Sequence, residues 1–460
     1  MPSDYDVTRR QFAKSAAAFA AMVGMSNLEV PDLVAAPNGG GAVNWGMIGT
    51  GTRGMELLRQ LSKTPIGRCT ALCDIYPVNL KKGLETIGGD PAPYEDYRRL
   101  LERKDLDAVL IATPLHLHAR MVLDALDAGK HVFVEKVMVF KEEEIQQVKD
   151  AVAAHPKQVL QVGLQRRYSL VYRLAMEMIR KSGLGKVTHV RACWHRNGNW
   201  RRNINDPNLE RQINWRMYRE YSGGLMAELG SHQTDIANWA IGAEPRSVIG
   251  FGGIDYWKDG RETFDNAQCL YEYPGGQKLI YSSITTNGYL SGGGGRPSEE
   301  IMGDAGTLIL EMDGASGKGM YFREPKAKVT QGSSKEQWWA GATVSTAAAG
   351  EGVPIFPEQP ATDQSFVQRE LSFAKRWLAR KGWYDVEEPR DPVFNELEHF
   401  LLCVRDGLKP VADVNVGASD AECVIYANRA MQDERRVYWP KYEQKPAAPR
   451  KASTATGKQA

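Results

Sequence analysis

With 460 residues, 42% of them hydrophobic and 25% charged, the chain has the composition of a soluble globular protein and the length for two sizeable cores. Its 58 Lys and Arg nearly balance 56 Asp and Glu, leaving a net charge of +2; that balance gives no argument for nucleic acid or an anionic membrane surface as a partner, and neither is expected. No apolar run approaches the roughly 20 residues of a membrane span.

The first segment reads as an address. Thr8-Arg9-Arg10-Gln11-Phe12-Ala13-Lys14 precedes an Ala-rich, mildly apolar run to Gly24, the pattern of a twin-arginine export signal, which implies a periplasmic protein exported already folded. Residues 1–42 are therefore set aside as signal and linker, ending in a glycine joint at 39–41. The six cysteines have no metal-clip spacing and read as free thiols.

From 43 to 165, apolar runs alternate with helical patterns. Strands are expected at 43–48, 69–73, 108–112, 131–134 and 159–162, with helices at 53–62, 118–128 and 141–153. Strand–helix–strand at this spacing implies right-handed crossovers and a doubly wound parallel sheet. The first strand runs into Gly49-Thr50-Gly51-Thr52-Arg53-Gly54 and then a helix. That context makes the G-x-G-x-x-G informative: the glycines give the tight turn, the close approach of a pyrophosphate and the helix–strand packing, and the helix N-terminus favours the anion. Asp74 ends the second strand, where a carboxylate accepts from the adenosine ribose and repels a 2′-phosphate. The cofactor is thus expected to be NAD, held by Gly49, Gly51, Thr52, Arg53, Gly54 and Asp74.

The character changes near 188, where longer alternating strands such as 268–273 and 278–283 predict a large, mostly antiparallel sheet. A second α+β domain is placed at 166–395, with an irregular insertion near 313–390. C-terminal helices at 396–432 are expected to pack back on the first domain, before a tail (433–460) expected to be disordered beyond 442. The second-domain sheet is expected to join copies of the chain into a dimer or tetramer.

Thr113-Pro114-Leu115-His116-Leu117-His118, Glu135-Lys136, Gly223-Gly224 through Glu228, His232 and Asp235, Asn395 to Phe400, and Pro410 to Asp413 together resemble the Gfo/Idh/MocA family, over residues 43 to 432. The resemblance implies roles residue by residue. Lys136 stands between nicotinamide and substrate and assists proton transfer from the reacting hydroxyl. Glu135 holds the nicotinamide ribose, and Thr113, Pro114 and His116 line the cofactor turn. His232 is the general base, with Glu228 in the place of the family's more common Asp. Val137 replaces the family's proline after the lysine. The family's usual mechanism needs no metal, and none is assigned; His195, Glu228 and His232 are the side chains that could converge on one. Arg167, Tyr168, His195 and Trp215 are the candidate substrate contacts, since rings and guanidinium forks suit a pyranose.

Independently of the resemblance, oxidising a secondary alcohol requires a base for the hydroxyl proton, which a histidine supplies near neutral pH, and a cation can stabilise the developing alkoxide. The functions that follow are oxidation of a ring hydroxyl of a sugar or glycoside, at carbon 3; a redox-neutral, NAD-dependent glycoside hydrolysis by oxidation, elimination, hydration and reduction; and a non-enzymatic sugar or NAD sensor.

Overall fold

A computed structural model describes residues 41–288, 298–312, 317–324 and 391–443, together with the short strand Val353–Pro354. The export motif, most of the expected insertion and the tail beyond 443 lie outside the described residues.

The first domain is a six-stranded parallel sheet. In chain order its strands are β1 (Val43–Ile48), β2 (Gly67–Cys73), β3 (Ala92–Tyr94), β4 (Ala108–Ile111), β5 (His131–Glu135) and β6 (Leu160–Gly163), arranged in space as 3-2-1-4-5-6. The order reverses beside β1, and it is at the carboxyl ends of strands flanking such a switch point that open α/β sheets bind ligands. Helices α1 (Thr52–Leu61), α2 (Pro77–Ile87), α3 (Tyr97–Leu101), α4 (His118–Asp127) and α5 (Glu142–Ala154) cover the sheet. The five expected strands are present. The segment 77–101 holds α2, β3 and α3. Only Leu80 and Gly83 of α2 are buried, so its apolar stripe is too thin to read as a period.

Helix α6 (Leu170–Arg180) leads into a nine-stranded sheet built from β7 (Val187–His195), β8 (Ser247–Gly253), β9 (Asn266–Glu272), β10 (Lys278–Ile284), β11 (Ser298–Gly303), β12 (Gly306–Glu311), β13 (Lys318–Arg323), β14 (Val353–Pro354) and β15 (Val437–Tyr438), in the spatial order 14-13-12-11-7-10-9-8-15. All its pairs are antiparallel except β7 with β10, which run parallel. Strands β13 and β14 fall inside the stretch expected to be irregular; β13 extends the sheet by pairing Met320 with Ile309 of β12. Helix α7 (Ser231–Ile241) is buried along almost its whole length.

Two C-terminal helices tie the domains together. In α8 (Pro392–Asp406), Val393, Leu397, Phe400 and Leu401 share a core with Trp45, Leu57 and Leu58 of the first domain. At about 1.5–3 kcal/mol per buried side chain of this kind, this contact is a substantial anchor. Helix α9 (Val414–Gln432) packs near β6, where a Cβ on Gly417 would stand 2.6 Å from Val162. Its Asn428 also donates to Gly223 O at 2.8 Å, so the segment leading into α7 is fixed from behind. All six cysteines are free.

Candidate functional site

A cavity of about 800 Å³ lies between the glycine loop of the first domain and the segment 226–232 of the second. The loop is shaped to admit a ligand. Gly49 has φ of +93°, and a Cβ there would lie 2.6 Å from Ala112 O; a Cβ on Gly54 would lie 2.0 Å from Gly49 O. At Gly51, by contrast, a Cβ would meet nothing nearer than Asn79 Nδ2 at 3.9 Å. Helix α1 starts after Gly51 without a side-chain cap, so its first N–H groups remain available to an anion.

Asp74 directly follows β2, with its carboxylate held in place. Oδ2 accepts from Thr50 N at 2.8 Å and from the Thr50 hydroxyl at 3.2 Å, and Oδ1 accepts from Tyr76 N at 2.8 Å. A carboxylate has about four acceptor positions, so room is left for a ribose hydroxyl. Ile75 beside it is 69% exposed at the cavity wall and offers an apolar face for a flat ring. Lys81 is exposed and faces Glu85.

Arg53 lines the same cavity, but its charge is spoken for. It donates to Glu135 at 2.7 Å and to Gln165 at 2.7 Å, and it pairs with Glu56 at 2.9 Å and with the buried Glu396 at 3.4 Å. Burial opposes its charge, and these carboxylates outweigh burial and keep it cationic. Its role is to fix Glu135, whose other oxygen accepts from Lys136 N.

Lys136 is half-buried and lines the cavity. Its Nζ donates to Ala227 O at 2.9 Å and Glu228 O at 2.8 Å. An ammonium has three donors, so one is left. Burial lowers its pKa from the usual lysine range, with Glu228 and Glu135 pulling the other way. The Lys136–Val137 peptide bond is cis. The two carbonyls that hold Lys136 belong to a single π-helical turn, Met226–Gly230, ahead of α7. The helix is thus widened at its start by one turn of π geometry, a device often found at functional sites. Glu228 and His232 nonetheless reach the same cavity.

Arg216 donates to the Glu228 carboxylate at 2.8 Å. Burial would raise the Glu228 pKa; Arg216 and Lys136 overrule it and hold the group below the usual carboxylate range, hence ionised. His232 is buried, and its Nδ1 has no partner among the described residues. Burial first, then the cations Lys136, Arg166 and Arg53, hold its pKa well below that of an ordinary histidine. The ring is therefore neutral, the form a base requires. Trp194 lies 5.8 Å from it, ring to ring.

Thr113, Pro114, His116 and Trp215 also line the cavity. His116 packs 4.8 Å from Tyr221, and Arg216 lies over Trp215 at 4.3 Å. Three candidate substrate contacts are placed elsewhere. Arg167 is clamped by Asp235 at 2.7–2.9 Å and lies over Trp239. Tyr168 is fully buried, 5.4 Å from His399. His195 bonds Ser282 at 2.9 Å on the neighbouring strand, and alternation along β7 gives the inward position to Trp194 instead. His195 therefore does not join Glu228 and His232, and no cluster of three metal-ligating side chains occurs among the described residues.

Arg202 carries no cue in the sequence, whereas Gln165 and Arg216 stand in the arginine- and aromatic-bearing stretches Gln165–Tyr168 and Asn214–Tyr221. The partners of all three lie 12 to 150 residues away in the chain.

Comparison with known proteins agrees with this architecture. The family model for the NAD-binding Rossmann fold of the Gfo/Idh/MocA oxidoreductases matches residues 43–164, and that for the family's C-terminal domain matches residues 172–309. The chain belongs to the Gfo/Idh/MocA family. Its cofactor is NAD, for which the open cradle at Gly51 and the fixed Asp74 are suited. Among its relatives in the family, inositol 2-dehydrogenase/D-chiro-inositol 3-dehydrogenase of Shouchella clausii is 34% identical over 34% of this chain and 45% of its own. An α-N-acetylgalactosaminidase of Shewanella oneidensis is 27% identical over 43% of this chain and 50% of its own. The chain spans about half the length of the curated relatives it matches. Aldose–aldose oxidoreductase from Caulobacter crescentus, solved with glycerol, shares the fold with a TM-score of 0.63 at 20% identity, over 87% of this chain and 100% of that one.

Proposed function

We propose that this Gfo/Idh/MocA member is an NAD-dependent oxidoreductase that acts on a secondary ring hydroxyl of a sugar or glycoside, at carbon 3, with its cofactor retained between turnovers. The observation that carries this reading is the convergence of Lys136, Glu228 and His232 on the cavity that also contains the glycine loop. When bound, NAD supplies the hydride acceptor. The chain's own groups handle the proton. His232, neutral through burial, takes it from the substrate hydroxyl, and the remaining donor of Lys136 steadies the oxygen as negative charge develops. Glu228, held ionised by Arg216, keeps the charge of Lys136 balanced.

Sugars and cyclic polyols are named among the substrates of the relatives, and Trp215 gives the cavity a stacking face. The Arg9–Arg10 motif supports export to the periplasm, where a free nicotinamide pool is lacking and a retained cofactor is an advantage. A second carbonyl substrate, or a redox-neutral cycle, then restores the cofactor. The redox-neutral reading is favoured by the glycosidase relative. In that cycle Glu228 or His232 removes the proton at carbon 2 beside a transient ketone, the glycosidic bond breaks, and hydration returns a solvent proton.

Incubation with a panel of pyranosides in heavy water, without added cofactor, tests this. The expected product is a keto-sugar with its glycosidic bond intact. Free sugar with deuterium at carbon 2 establishes the glycosidase instead, and binding without any product leaves only a sensor.

We also infer that copies of the chain associate through the second-domain sheet. Phe251, Leu270 and Ile280 are 74%, 41% and 46% exposed on neighbouring strands β8, β9 and β10, an apolar face of the sort proteins cover. Sedimentation is expected to give a dimer or tetramer; a monomer at micromolar concentration removes the inference.

A further inference from the structure

The cofactor's pyrophosphate carries two negative charges, and the first domain does not neutralise them with side chains. Of the cations lining the cavity, Arg53 is matched by Glu135 and Glu56, Arg211 by Glu220, and Arg216 by Glu228, while Lys136 is held by Ala227 O and Glu228 O, with its remaining donor assigned to the substrate oxygen. Arg202 differs. It comes from the second domain, lines the cavity, and has no carboxylate partner among the described residues. Its guanidinium reaches across to the glycine loop and donates to the Thr52 hydroxyl at 2.7 Å. Thr52 is the first residue of α1, next to Gly51, where the uncapped N–H groups and the open cradle meet.

The arm that carries Arg202 is braced. Buried Asn214 accepts from Arg202 N at 2.7 Å and donates to Arg202 O at 3.0 Å, so one amide fixes both sides of the residue. The preceding Arg201 is tied to Glu210 and to Asp259, and Asn199 donates to the same Asp259 at 3.0 Å. Such bracing lowers the entropy lost when the guanidinium binds an anion. Five donors in a planar fork suit a phosphate, and only one of them is engaged, by a neutral hydroxyl.

We propose that Arg202 is a pyrophosphate clamp: the second domain reaches over the dinucleotide groove and closes it with one cation, which makes release of the cofactor slow. The proposal rests on the cofactor site and not on the identity of the substrate. It also ties retention of NAD to the arm at residues 199–214, which the glycine-loop motif does not include.

Arg202→Gln tests it. Arg202 is exposed, so the melting temperature of the nucleotide-depleted protein is expected to stay unchanged. A charge-assisted hydrogen bond of about 1.5–3 kcal/mol corresponds to roughly ten- to a hundredfold in affinity. The variant is expected to lose bound NAD during purification and to release it at least tenfold faster. Nucleotide-depleted protein is expected to bind ADP at least tenfold more weakly and with a shallower salt dependence, while adenosine binds as before; Arg202→Lys should fall between. ADP affinity within twofold of the parent overturns the proposal. So does an equal loss for ADP and adenosine, which would mean that the arm only shapes the groove. Asp74→Ser separates the two levels of inference. If it leaves adenosine and ADP binding unchanged, the cofactor site itself is misassigned, whatever Arg202 does.

Discussion

Lys136→Met is expected to lower kcat by about 10²- to 10⁴-fold, the range for loss of a positioned proton-handling group, while the purified protein still carries NAD. Two of the three ammonium donors are fixed on Ala227 O and Glu228 O, which aims the third and restricts it to one place. A cation fixed in this way stabilises charge without reorganising as the charge appears. Burial also lowers its pKa, so it shares a proton more readily than a surface lysine. Methionine keeps the length and the packing and removes every donor. It leaves two carbonyls of the π turn without their partner, so a modest fall in melting temperature accompanies the kinetic loss. Total nucleotide released on denaturation, measured beside kcat, separates the two effects. A kcat within tenfold of the parent, with NAD bound, removes Lys136 from the chemistry. Loss of both together means that the residue holds the site rather than acting in it.

Much of the first domain was legible because its information is local. The run Val43–Ile48 into Gly49, Gly51 and Gly54 states strand, turn and helix within a dozen residues, and Gly49 and Gly54 each have a steric reason visible in the fold. The candidate cluster was legible through resemblance, since Lys136 and His232 come from different domains and only a shared pattern relates them. What stayed hidden is pairwise and long-range. Arg53 reads as a phosphate ligand by its place in the loop, yet Glu135 and Glu396, 82 and 343 residues further on, consume its charge. Arg167 reads as a substrate contact until Asp235 is found against it. In both cases the sequence displays a cation and conceals its partner. The reverse holds for Arg202, an undistinguished surface arginine until Asn214 and Thr52 are seen to aim it. The π turn at Met226–Gly230 was hidden for a different reason. One extra residue in a turn leaves no periodic signature, and here it is what brings two backbone carbonyls to Lys136.

His232→Gln is expected to cost about 10²- to 10⁴-fold in kcat and, more tellingly, to remove one limb of the pH profile. The base must be neutral to take the hydroxyl proton, so activity is lost as pH falls through its pKa. An unperturbed histidine would place that limb near 6.5. His232 is buried, has no partner at Nδ1, and faces the positive charges of Lys136, Arg166 and Arg53, all of which disfavour its protonated form. The acid limb of kcat/KM is therefore expected below 6.5, with the rate level from there up through neutrality. Glu228 does not supply this limb, since Arg216 and Lys136 keep its carboxyl ionised to lower pH still than a free glutamate. Glutamine fills the same space and retains polarity but accepts no proton. The variant should therefore fold, bind NAD and show a rate that no longer falls in the same acid window. An acid limb at or above 6.5 in the parent contradicts the burial argument. A limb that persists unchanged in His232→Gln assigns the base to another group.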